Sequence, residues 1–118
     1  MTLINTTKNK AIIERTLIAG SFFSQLKGLM FEEKKNFDYA LVFPLLTEGR
    51  FSASIHCLFV FFPIDVIFLD RGKKVVDIKK GVAPFTLFCM PVRPAKYFVE
   101  LPTGKSTGVE IGDQLDWK

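Results

Sequence analysis

The chain has 118 residues, 48% of them hydrophobic and 24% charged, and carries a formal net charge of +4. That length holds one domain, 1–118, its composition excludes a disordered chain, and two cysteines are too few for a disulfide framework. The 16 Lys and Arg are scattered rather than concentrated, so a solvated basic surface fits better than a dedicated nucleic-acid face.

The first ten residues, MTLINTTKNK, contain no apolar run leading to a small-residue cleavage site. The reading is therefore a protein without an export signal, expected in the cytoplasm. Residues 3–18 read as one or two strands. Ser21 is a suitable N-cap, and Phe22, Phe23, Leu26, Leu29 and Met30 then recur at helical spacing, which predicts one short amphipathic helix over about 21–31. A charged connector leads to the strand Tyr39–Phe43, which Pro44 is expected to stop.

Ile55 to Asp70, IHCLFVFFPIDVIFLD, is the longest apolar passage. It is shorter than the roughly 20 residues a bilayer core needs and includes a proline and two ionisable groups, so it is read as buried β structure. Pro63 divides it into His56–Phe62 and Ile64–Leu69. Asp70-Arg71-Gly72-Lys73 is a hairpin turn, with Gly72 expected to supply a positive φ, and Lys74–Lys79 is its second arm. Pro84, Pro91 and Pro94 keep 81–96 extended or looped. Tyr97–Leu101 is a further strand, 104–110 can hold a helical turn, and Asp113–Trp117 closes the chain. The fold expected is mainly β: a compact antiparallel β-sandwich or partly open barrel with one helix packed on it.

Gly104-Lys105-Ser106 invites a phosphate-loop assignment. The full motif requires a glycine five residues before Gly104, and that residue is Val99. The match fails, so no nucleotide cofactor is expected. His56 and Cys57 are neighbours in an extended segment and point to opposite faces, which argues against a shared metal. Cys89 lies among Phe88, Met90 and Pro91, without the cationic setting that activates a thiol. Asp65, between Ile64 and Val66, either faces water or is buried with a partner; Lys27, Arg93 and Lys96 are the cationic candidates. An ion pair or a carboxylate capping a turn after Pro63 is the favoured reading, ahead of a ligand contact. Glu100 in its apolar strand has the same two readings.

Several segments together resemble a known family, the domain of unknown function 192. They are Lys27-Gly28-Leu29-Met30-Phe31; Leu41-Val42-Phe43-Pro44; His56 with Phe61-Phe62-Pro63-Ile64-Asp65-Val66-Ile67-Phe68-Leu69-Asp70; Pro94 to Gly104; and Gly112-Asp113. Lys27 stands where the family usually has Arg, Thr103 replaces the commoner Ala, and the passage after it is shorter. Many relatives carry an export signal that this sequence lacks. The resemblance implies a compact mainly β domain. It brings no established activity, so no functional residue is transferred.

The first functional expectation is a binding module for a small molecule or peptide, with His56, Asp65, Arg93 and Lys96 as candidate ligand-binding residues. The second is a homo-oligomeric assembly domain using a sheet edge or exposed Phe residues. The third is a hydrolase using His56 with Asp65 or Cys89. No cofactor, metal, nucleic-acid or membrane partner is expected, and the protein is expected to be a monomer or homodimer.

Overall fold

The structure is a computed structural model that describes residues 1–19, 34–50, 62–86 and 89–118. Runs of β-branched and aromatic residues, broken by Gly, Asn and Asp turns, form eight strands among these residues. They are β1 (Leu3–Asn5), β2 (Lys10–Ile13), β3 (Thr16–Ile18), β4 (Ala40–Gly49), β5 (Ile64–Leu69), β6 (Val75–Val82), β7 (Ala95–Pro102) and β8 (Leu115–Trp117). A single 3₁₀ turn, Lys34–Asn36, precedes β4.

The strands form two open sheets, ordered β2-β1-β8 and β3-β4-β7-β5-β6. Leu3, Ile13 and Leu115 of the smaller sheet pack with Val42, Ile67, Leu69, Val99 and Leu101 of the larger one. That shared core makes the fold a β-sandwich, and the open edges exclude a closed barrel among the described strands. Asn5 ties the two ends of the chain together: its amide donates to Asp113 at 2.8 Å, and Lys8 pairs with the same carboxylate at 3.1 Å. The opposite face of the larger sheet carries a second core of Leu41, Phe43, Ile64, Val66, Phe68 and Phe98, joined by Ala19, Phe37, Tyr39 and Phe62.

Several expectations are refined. Residues 3–18 hold three strands, and β3 runs parallel to β4 while every other pair is antiparallel. Residues 19–39 separate those two strands, enough chain for the crossover that parallel pairing needs. Pro44 does not stop its strand. Ala40 and Val42 direct their backbone groups toward β3, bonding Arg15 and Ala19, so Pro44 shares that orientation. Since β3 ends at Ile18 opposite Val42, the imide nitrogen faces a side where the ladder is already finished.

The Asp70–Lys73 turn forms, but Lys73 holds the positive φ of 65°, and Gly72 does not. Asp70 accepts from the Gly72 and Lys74 amides at 2.9 Å, and this local bonding sets the turn. Residues 102–109 form successive three-residue-spaced turns rather than a helix, because Gly104 and Gly108 both have φ near +90°. The expected helix over 21–31 and the expected strand His56–Phe62, up to residue 61, lie outside the described residues. No described helix is long and apolar enough to cross a membrane.

Candidate functional site

Asp65 occupies β5 opposite Leu101 of β7 and is 1% exposed. Its carboxylate is filled by hydrogen bonds. Oδ1 accepts from the Gly81 amide at 2.9 Å, and Oδ2 accepts from the Gly104 amide at 3.1 Å, the Ser106 amide at 3.4 Å and the Ser106 hydroxyl at 2.6 Å. The Gly-Lys-Ser stretch thus does curl its amides around an anion, and that anion is the chain's own carboxylate. Among the described residues no cation contacts Asp65, so backbone dipoles satisfy it instead.

Arg93 is exposed on the loop before β7. The Lys96 ammonium bonds the Leu45 carbonyl and lies 6.0 Å from the Tyr97 ring centre. Lys96 is five residues along β7 from Leu101, the partner of Asp65, a separation of roughly 16 Å at ordinary strand rise. The structure therefore does not gather Asp65, Arg93 and Lys96 into one site, and His56 lies outside the described residues.

The other face of the sheet presents a different cluster, centred on Glu100. Register places Glu100 in a cross-strand row with Leu41 of β4, Val66 of β5 and, one strand further, Lys79 of β6. The next row on that face is aromatic: Phe43 stacks on Phe98 with ring centres 4.4 Å apart, and Phe98 lies 6.2 Å from Phe68. Glu100 is 4% exposed, and its Oε1 has no hydrogen-bond partner among the described residues. Burial without a compensating charge pushes the carboxyl up to about 8, so at neutral pH it is an uncharged acid that can donate as well as accept.

The cation nearest in this row is already committed, since Lys79 pairs with Asp77 at 3.2 Å. Asp77 also accepts the Val92 amide at 3.0 Å, which holds the 89–92 segment beside β6. Cys89 packs against this same apolar face, and burial, the largest influence, raises its thiol despite the opposing charge of Lys79. A thiol in that state is a poor nucleophile.

At the end of this face a cleft of about 180 Å³ opens between Phe37, Phe62, Pro63, Pro102 and Thr103. The Phe37 and Phe62 rings lie 5.5 Å apart, and the Thr103 hydroxyl donates to the Pro63 carbonyl at 3.0 Å, fixing the rim. Pro102 follows Glu100 by two residues in β7 and so shares its side of the sheet.

Comparison with known proteins places the chain. The family model of the domain of unknown function 192, described as an uncharacterised ACR, matches residues 3–117. The chain belongs to the domain of unknown function 192 family. It is similar to a UPF0127 protein of Thermococcus sibiricus, at 46% identity over 98% of this chain and 74% of that one. A UPF0127 protein of Pyrococcus furiosus is 43% identical, over 98% of this chain and 97% of its own. A crystal structure of a protein of unknown function from Novosphingobium aromaticivorans shares the fold, with a TM-score of 0.82 at 21% identity over 98% of this chain and 82% of that one.

For this domain of unknown function 192 protein, sequence reasoning noted Glu100 but missed Asp77, Lys79 and the Phe37–Phe62 cleft. Period-2 alternation carried a usable signal: Phe98, Glu100 and Pro102 occupy alternate positions and must share a face. The cleft had no such signal, because its walls come from three separate segments of chain.

Proposed function

We propose that this protein is a binding module for a small molecule, held on the aromatic face of the larger sheet beside Glu100. One observation carries the reading: a buried carboxyl whose Oε1 has no partner among the described residues, on the same side of the larger sheet as Phe43, Phe68 and Phe98 and two residues along β7 from Pro102 of the cleft. An unpaired buried polar group costs a folded protein about 1–3 kcal/mol, and a ligand that engages it recovers that cost. The cleft suits one ring better than a peptide, whose backbone needs a longer groove or a free strand edge.

The geometry supports binding over hydrolysis. Asp65 is saturated by Gly81, Gly104 and Ser106, and the Cys89 thiol is kept protonated by burial, so neither has the character of an activated catalytic group. The free thiol of Cys89 also suits the reducing cytoplasm that this reading assumes.

A second reading, self-association, is favoured by β3. Among the described strands it lies at the edge of the larger sheet, and Leu17 and Ile18 on it are 42% and 43% exposed. Small-angle scattering over a concentration series tests it, and a mass that stays monomeric throughout removes it.

The binding reading is tested by recording ¹H–¹⁵N spectra of the full chain against a set of single-ring and short-chain neutral compounds. Shifts centred on Phe37, Phe62, Glu100 and Thr103 are expected. Shifts confined to the outer strand edges indicate a peptide-type surface, and either that pattern or no saturable shift overturns the proposal.

A further inference from the structure

We infer that the ligand of this face is a neutral molecule with one apolar ring seated in the Phe37–Phe62 cleft and a carbonyl oxygen that accepts a hydrogen bond from the Glu100 carboxyl. This rests on the binding reading above and specifies its chemistry.

Three observations fix the parts. The cleft of about 180 Å³ is walled by two Phe rings and two prolines; apolar cavities of about 150 Å³ already admit benzene. A single ring fits. Glu100 is one pleat further in on the same side of β7 as Pro102, about 7 Å along the strand. Glu100 does not itself line the cleft, so a ring resting on Pro102 reaches the carboxyl through a short substituent directed inward past that residue.

Charge decides what that substituent is. The two described cations in line with Glu100 on this side of β6 and β7 are already engaged: Lys79 is paired with Asp77, and Lys96 bonds the Leu45 carbonyl. A ligand carboxylate or phosphate would be desolvated without compensation, at a cost far above the gain from one hydrogen bond. An ammonium would meet an uncharged acid rather than a carboxylate. A carbonyl is different. It accepts from the Glu100 O–H, satisfies the buried acid, and carries no charge into the apolar site. Binding is non-covalent, so no bond is made or broken.

The test titrates the full chain with acetophenone and with isopropylbenzene, which has similar size and shape but no acceptor, and follows ¹H–¹⁵N shifts. Wild type is expected to bind acetophenone about tenfold more tightly than isopropylbenzene. In Glu100→Gln, whose amide still donates, the preference is expected to persist to within about threefold, whereas in Glu100→Leu it disappears while isopropylbenzene binds as before or better. Equal binding of the two compounds in wild type, or a preference retained in Glu100→Leu, overturns the carbonyl assignment and leaves the cleft as a ligand site. Failure of both compounds to bind overturns the binding reading itself.

Discussion

Ser106 donates its hydroxyl to Oδ2 of Asp65 across 2.6 Å, joining residues 41 positions apart in sequence. With the Gly104 and Ser106 amides, this bond folds the chain after β7 back over β5. The loop would otherwise leave its own donors unpaired, and the carboxylate would be an isolated charge in the core. Each side removes the other's penalty, and the arrangement is stable only when both are present.

Replacing Asp65 should therefore be among the most damaging single changes in the chain. Asp65→Ala leaves three amides and a hydroxyl without their acceptor and is expected to cost about 3–5 kcal/mol, while Ser106→Ala, which removes one bond, costs about 1–2 kcal/mol. Urea denaturation midpoints measure both. An Asp65→Ala variant within 1 kcal/mol of wild type, by about the error of such fits, contradicts the bonding described.

Glu100 gives the protein a pH-dependent stability. Its folded value of about 8 lies above its ordinary value of 4.5, so the folded state holds a proton that the unfolded chain releases between the two. This contribution is fully present below about pH 4.5 and is lost as pH rises through about 8, a total on the order of 4–5 kcal/mol. Glu100→Gln removes the titration. The stability difference between wild type and this variant should slope across that window and flatten on either side, as read from denaturation at several pH values.

The Phe43–Phe98 stack lies on the same side of the larger sheet as Glu100. Phe98→Ala opens a cavity against Phe43 and Phe68 and is expected to cost about 3–5 kcal/mol, whereas Phe98→Leu, which keeps most of the volume, costs about 1–2 kcal/mol. The ordering of the two midpoints is the check. If Phe98→Ala is the milder, the packing at that position is not what the ring distances indicate.

Cys89 should react slowly. Burial, opposed only in part by Lys79, raises its thiol above the usual value, so the thiolate fraction at neutral pH is small. With Cys57 replaced by Ser to leave a single thiol, modification by a chromogenic disulfide is expected to be at least about tenfold slower in the folded protein than in urea. Comparable rates would place the sulfur in water.

Much of the architecture was legible in advance. The turn at Asp70–Lys73, the strand Ile64–Leu69 and the strand through Tyr97–Leu101 follow from local alternation and from residues that tolerate turns. The errors are instructive because each concerns where backbone hydrogen bonds go. Pro44 was expected to end β4, since a proline breaks a ladder. It does not, because β3 stops two residues short of it. Gly72 was expected to hold the positive φ, but Asp70 bonds the Gly72 and Lys74 amides so that Lys73 takes it.

By itself, then, the sequence determined a mainly β domain, the position of its central apolar passage and membership of a family with matched segments along the chain. These depend on spacing and on local backbone preference, both of which are written residue by residue. Only the tertiary structure decided which of Asp65 and Glu100 has its carboxyl satisfied. Asp65 and Glu100 both sit between apolar neighbours in strands, and nothing local distinguishes them. Asp65 meets amides from a turn some 40 residues later in the chain, and Glu100 lies between Leu41 and Val66 with no donor for its Oε1 among the described residues. That difference is made by long-range pairing, which fixes the face each carboxylate occupies and the donors that wait there.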